Sequence, residues 1–173
     1  KVILENTHPI LSENVAVVHN GIIENHDKIR LELKEKNVVF ETTTDTAVIP
    51  HLLNISMKKS NNFLEACTSV VHKIKGAYAF AAIHSLKEEI FVARKTSPLV
   101  LGIGNGYNIV GSDAQSISQM VSEVIYLNDG DYAILNKTKI QIYNSDNKRV
   151  EREKINIKTN LNFLNKDGFK HFM

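Results

Sequence analysis

Val15-Ala16-Val17-Val18-His19-Asn20-Gly21-Ile22-Ile23-Glu24-Asn25-His26 is the stretch from which the rest of the chain can be read. Residues 15–18 form a largely β-branched apolar run, which predicts a buried strand. His19-Asn20-Gly21 then falls at the strand's end, where the chain must turn and where a glycine lets backbone approach a ligand closely. The Asn20 amide and the Gly21 N–H are two neutral donors side by side, the arrangement a developing oxyanion needs. A plain turn competes with that reading, because Asn-Gly is the strongest short hairpin signal.

Outward from this stretch the hydrophobic period switches several times. Ile22, His26, Ile29 and Leu33 share one helical face, with Asn25 as N-cap and Asn37 as stop. Val38-Val39-Phe40 reads as a short strand. A second helix follows Thr44-Asp45 and buries Val48, Leu52 and either Ile55 or Ser56-Met57, with Pro50 near its start. After a polar break from Lys58 to Asn62, the apolar positions Phe63, Cys67, Val70 and Ile74 mark a third amphipathic helix. From Ala77 onward strands dominate. Ala77–His84 pairs with Ile90–Ala93 across Leu86-Lys87-Glu88, and Leu99–Ile103 pairs with Tyr107–Val110 across Gly104-Asn105-Gly106. Asp113–Val121 reads as a short helix, and Val124–Leu127, Tyr132–Leu135, Lys139–Tyr143 and Arg149–Glu153 as one antiparallel meander. The tail from Asn156 is polar and linker-like. Helices in one half and strands in the other predict an α+β fold.

Composition narrows the function classes. At 173 residues and 43% apolar, the chain is expected to form one domain with a real core. A net charge of +2 with mixed signs gives no nucleic-acid footprint, and Lys148-Arg149 is too short for a basic patch. No apolar run approaches the roughly 20 residues of a membrane span, so neither nucleic acid nor membrane is an expected partner. The apolar opening is too short and poorly flanked for a secretory signal. The single cysteine leaves no internal disulfide and suits a reducing cytoplasm. Cys67 sits on an apolar helical face and reads as a core thiol. Seven histidines show no zinc-ligand spacing. Gly102-Ile103-Gly104-Asn105-Gly106 fails the dinucleotide fingerprint and is read as a hairpin turn.

One resemblance spans nearly the whole chain. His19-Asn20-Gly21-Ile22-Ile23-Glu24-Asn25-His26, Thr44-Asp45-Thr46, Gly76-Ala77-Tyr78, Ala93-Arg94-Lys95-Thr96-Ser97-Pro98-Leu99, Ser112-Asp113, Gly130-Asp131 and the closing Lys170-His171-Phe172-Met173 follow in an order that resembles the glutaminase domain of the class II glutamine amidotransferases. The match is closest to the aminosugar-forming branch; the purine-forming amidophosphoribosyltransferases share the His-Asn-Gly and Asp-Thr elements but favour a Gly-Ile-Arg-Pro run before the equivalent of Leu99. The resemblance implies an N-terminal-nucleophile hydrolase fold, with two antiparallel sheets stacked between helical layers. It also implies glutamine as substrate, with Asn20 and Gly21 as oxyanion donors, Gly21 and Asp45 as substrate-binding residues, and no metal or organic cofactor. Ammonia would pass to a sugar-phosphate isomerase domain that binds fructose 6-phosphate, in an enzyme expected to be a homo-oligomer. His8 and His19 would be structural neighbours of that site.

The family's opening cysteine, whose thiol is the nucleophile, and its Arg-Trp-Ala-Thr-His segment have no counterpart here. The chain begins Lys1-Val2-Ile3-Leu4, contains no Trp, and joins the pattern at Asn6-Thr7-His8-Pro9. The expectation is therefore a glutaminase domain without its opening part: residues 1–160 its C-terminal portion, and 161–173 a tail toward the isomerase domain. Such a piece should be inactive alone and expose strand edges that the opening part would cover. A noncatalytic glutamine-binding module is the alternative from another class. Asp45 has its own bland reading as a helix N-cap, which its binding role does not exclude because a carboxylate has several acceptor sites.

Overall fold

The apolar run at Val15 continues well past Val18. In the computed structural model, which describes residues 4–157, strand β2 spans Val15–Ile23 and follows the three-residue strand β1 (Ile10–Ser12). Strand β3 (Gly76–His84) pairs antiparallel with all nine residues of β2, from Val15↔His84 to Ile23↔Gly76. His19-Asn20-Gly21 thus lies inside a strand rather than beyond its end, and Asn20-Gly21 forms no turn. Ile22 belongs to that strand too, not to the helix that follows.

Three helices cover one face of the resulting sheet. Helix α1 (His26–Lys34) starts after Asn25 and is followed by Asn37, which takes a left-handed conformation as a stop residue. Asn25 occupies the N-cap position without a side-chain cap bond; its amide instead donates to Lys73 O and accepts from Lys75 N, tying α1 to the start of β3. Helix α2 (Val48–Ser60) buries Val48, Ile49, Leu52, Leu53 and Met57, and it accommodates Pro50 in its first turn, where the missing N–H has no helical partner to lose. Asn61 ends it at φ +50°, and Asn62 caps α3 (Phe63–Lys73) by accepting from Glu65 N. Val38–Phe40 forms no strand. Val38 and Phe40 pack on the core edge from an irregular loop, having no neighbouring strand to pair with.

Strands β4 (Ile90–Lys95), β5 (Val100–Ile103) and β6 (Asn108–Gly111) form as the turns predict. Beyond them the single meander does not hold. Strand β7 (Glu123–Tyr126) pairs with β5 in a second sheet, while β8 (Tyr132–Leu135), β9 (Ile140–Tyr143) and β10 (Arg149–Val150) extend the first. The strand orders are β1-β2-β3-β4-β8-β9-β10 and, with β11 (Lys154–Asn156), β11-β7-β5-β6. The Arg149–Glu153 expectation shrinks to two residues, and β11 forms just after it, taking in Asn156, the first residue of the expected tail. The expected helix at Asp113–Val121 is a single turn, α4 (Ala114–Ile117), capped by Asp113. The remaining tail, residues 158–173, lies outside the described residues.

Alternation along the strands explains the layers. Val17, Tyr78, Phe80, Phe91 and Ala93 face α1–α3, with Val48, Leu53, Phe63 and Cys67 opposite. On the other side of the same sheet, Ala79, Val92, Ala133 and Leu135 meet Leu101, Ile125 and Leu127 of the second sheet and its flanking loop. Val100 and Val124 turn outward onto Ile117 and Val121. The architecture is α+β with two stacked antiparallel sheets, one thick helical layer and one reduced to α4. Among the described residues strand β6 is an open edge of its sheet, and Val18 and Ile83 on the neighbouring sheet are 46% and 49% exposed.

Candidate functional site

Backbone alternation along β2 sets the donors. Glu24 N donates to Lys75 O and Ser85 N to Asn14 O, so the even-numbered residues of β2 exchange bonds with β3. The N–H groups of His19, Gly21 and Ile23 therefore point to the opposite edge. Strand β1 covers that edge only as far as Val17, paired with Ile10. Past β1, Ile23 N donates to Asp45 Oδ2 at 2.7 Å. Gly21 N–H thus looks out on the same edge as the Asp45 carboxylate, two residues from its anchor.

Gly21 could be no other residue in this backbone. Its φ is +122°, and a Cβ there would lie 2.1 Å from Ala77 O. Gly76, on the facing strand, is matched: its φ is +126° and its Cβ would lie 2.1 Å from Ile22 O. The two glycines let the β2 and β3 backbones approach closely just past the His-Asn pair. Asn20 is exposed and lines a cavity of about 230 Å³ between the sheets with Val18, Ala81, Pro98, Val110 and Ser112. Asn20 thus stands at the rim of an apolar cleft, while Gly21, the next residue, turns its N–H to the strand edge that β1 leaves uncovered.

Asp45 stands differently from expectation. It opens a 3-10 turn, Asp45–Ala47, whose N-cap residue is Thr44, and it caps no helix. Its Oδ1 accepts from Thr46 N at 2.9 Å while Oδ2 holds Ile23 N. Each oxygen keeps a further lone pair for an incoming cation. The segment before it is held by side chains. Asn6 exchanges two bonds with Thr43, and Arg30 from α1 donates to Thr42 O at 3.0 Å and Thr44 O at 2.6 Å. The Arg30 guanidinium lies 4.2 Å above the Phe40 ring. Nothing in the sequence marked Arg30, since its partners are carbonyls 12 and 14 residues away.

His19 is buried beneath this edge. Its Nδ1 sits 2.9 Å from Thr46 Oγ1, which also lies 3.4 Å from His8 Nε2. Burial, opposed by Asp45 and reinforced by His8, lowers the His19 pKa, so the ring is neutral at pH 7. Both histidines thus support the 3-10 turn that carries Asp45, as structural neighbours of the site. A separate cavity of about 600 Å³ beside β1 and α2 holds Ser12, His51 and Asn54. There Asn54 donates to Ser12 O and Oγ, and Ser12 Oγ pairs with His51 Nδ1, which ties the β1–β2 hairpin to α2.

Other sequence candidates fall outside this constellation. Cys67 is fully buried on α3, and burial pushes its thiol pKa well up, the opposite of an activated nucleophile. Gly104-Asn105-Gly106 is the β5–β6 turn. Ser97 sits in a bend where Thr96, at φ +68°, donates its N–H to the Asp129 carboxylate. Gly130-Asp131 is structural: the Asp131 side chain is 1% exposed and accepts from Arg152 Nε and Nη2 at 2.7 and 2.8 Å. Among the described residues no cluster of three or more His, Cys, Asp or Glu is placed to hold a metal, and no helix is long and apolar enough to cross a membrane.

Nearly the whole chain is similar to known proteins. The chain is 42% identical over 170 residues to a glutamine–fructose-6-phosphate aminotransferase (isomerizing) of Idiomarina loihiensis, and 41% identical over 171 residues to that of Thermotoga maritima. Each match takes in 97% of this chain, which spans only 28% of either relative's length. Among solved structures, the Bacillus subtilis glutamine phosphoribosylpyrophosphate amidotransferase superposes with a TM-score of 0.68 at 24% identity, over 81% of this chain and 32% of that one. A second, described as the allosteric regulatory enzyme of purine biosynthesis, gives 0.67 at 26%, over 81% and 31%. These likenesses agree with the N-terminal-nucleophile hydrolase architecture expected of the two stacked sheets. A family model described as the glutamine amidotransferase domain matches residues 3–119, the span that includes β2, its glycine crossing and Asp45, and the chain belongs to that family.

Proposed function

We propose that the chain is the C-terminal portion of the glutaminase domain of an isomerising glutamine–fructose-6-phosphate aminotransferase. The observation that carries this is the edge of β2 beyond β1, where the Asn20-Gly21 donors and the Asp45 carboxylate stand within one short segment. In the proposed reaction a cysteine thiol other than the buried Cys67 attacks the side-chain amide of glutamine. The Asn20 amide and the Gly21 N–H stabilise the tetrahedral oxyanion. Asp45 holds the substrate's α-ammonium group by a charge-assisted bond, and Gly21 binds the substrate through its backbone N–H. Ammonia leaves, water cleaves the thioester to release glutamate, and the ammonia aminates fructose 6-phosphate in a further domain. Residues 1–160 form the glutaminase portion and 161–173 lead toward that domain; the greater length of the relatives supports this division. The sequence identities favour the aminosugar branch over the purine branch, which shares the fold at lower identity. A cytoplasmic homo-oligomer accords with the single reduced cysteine and with the family.

The experiment is glutamine-dependent formation of glutamate and glucosamine 6-phosphate by the full-length gene product, with Asp45→Asn beside it. The variant is expected to weaken glutamine by about 1.5–3 kcal/mol, typical of a hydrogen bond to a charged group. It should also melt earlier, because one face of the new amide meets a backbone N–H that the carboxylate accepted. An unchanged glutamine KM would remove Asp45 from the site.

The 173-residue chain alone is expected to release no glutamate from glutamine, because its one thiol is buried with a raised pKa. Glutamate release that disappears in Cys67→Ser would overturn this.

A further inference from the structure

Resting on the reading of Asp45 as the ammonium-binding carboxylate, we infer that Arg30 is the positioning residue for that carboxylate, clamping residues 42–44 so that Asp45 is preorganised before glutamine arrives. The segment from Glu41 to Thr44 has no strand or helix to fix it. Its path is set by side chains from three directions: Asn6 on Thr43, Arg30 on the carbonyls of Thr42 and Thr44, and the Asp45 carboxylate on Ile23 N and Thr46 N. The Thr44 carbonyl that Arg30 binds also accepts from Ala47 N at 3.3 Å and belongs to the peptide unit leading into Asp45. Arg30 spans the residues directly before Asp45 from outside the loop, beside the Thr42–Thr44 hydroxyl contact at 3.2 Å. Its planar fork meets two carbonyls at once while its face packs on Phe40. A lysine can reach one carbonyl as a point charge but cannot reproduce the fork or the stack.

Two clefts, of about 600 Å³ and about 610 Å³, border the loop, and Glu41 and Thr43 are exposed, which leaves it little packing to fall back on. Without Arg30 the loop has room to move, and Asp45 would have to be ordered at the expense of binding free energy. The effect should therefore appear in glutamine affinity and not in the chemical step.

The test is steady-state glutaminase kinetics of the full-length gene product with Arg30→Met, Arg30→Lys, Asp45→Asn and the double variant Arg30→Met/Asp45→Asn. Arg30→Met is expected to raise glutamine KM about tenfold with kcat within about twofold, the signature of lost ground-state positioning. Arg30→Lys should show a smaller rise, and it carries the comparison if Arg30→Met does not fold. In the Asp45→Asn background, Arg30→Met should add less than about twofold, since both act through one contact. Fully additive effects, or normal glutamine KM in both Arg30 variants while Asp45→Asn is impaired, would overturn the role of Arg30 and leave the site reading intact. Normal KM in Asp45→Asn would instead overturn the site reading itself.

Discussion

Asn20→Ala in the full-length enzyme is expected to slow glutamine turnover by ~10²–10³-fold, the usual loss when one oxyanion donor is removed. The fall should appear in kcat more than in KM, because the amide bond strengthens chiefly as charge develops on the carbonyl oxygen. Asn20 is exposed at the cleft rim, and its side chain has no hydrogen bond to the described residues, so the melting temperature should hardly change. Normal kcat with only a raised KM would mark Asn20 as a ground-state contact and end its assignment as a donor to the transition state. Urea denaturation of the same variant separates chemistry from folding.

Gly21→Ala should act on folding before chemistry. The new Cβ would stand 2.1 Å from Ala77 O, in a backbone of φ +122° that L-residues avoid. Neither strand can retreat easily, because β2 and β3 are paired over nine residues and β3 is paired in turn with β4. The expected destabilisation exceeds about 4 kcal/mol, the range reached only when a backbone clash or a broken core is involved. Against a total stability of about 5–15 kcal/mol, the variant should fail to accumulate as folded protein or show a far lower urea midpoint. Gly76→Ala should behave alike. A Gly21→Ala protein with an unchanged midpoint would mean that the crossing relaxes, and Gly21 would then owe its place to catalysis alone.

Most of the helices and hairpins were legible because their signals are local. The 3.6-residue spacing of Phe63, Cys67 and Val70 marks α3, and Gly104-Asn105-Gly106 marks the β5–β6 turn, whatever surrounds them. Errors came where a neighbour far along the chain decides. Val38–Phe40 has strand-forming residues, but only the core edge beside His51 and Arg30 is there to receive them. β7 resembles the strands on either side of it, yet pairs with β5 in the other sheet. Asn20-Gly21 looks like a hairpin turn until β3 continues the pairing past it.

The amino-acid pattern by itself determined the α+β class, most of the helices and hairpins, the core thiol at Cys67, and the family, through motifs whose order no single local rule demands. The family resemblance also drew attention to Asn20, Gly21 and Asp45 as candidates. Only the tertiary structure decided how they stand to one another. It placed Gly21 N–H on the strand edge that β1 leaves open, carried Asp45 to Ile23 N across 22 residues of chain, and brought Arg30 onto the loop that precedes it. The reason is physical: periodicity reports which face of an element is apolar, whereas a carboxylate meeting a distant N–H depends on how those faces stack and where each strand ends.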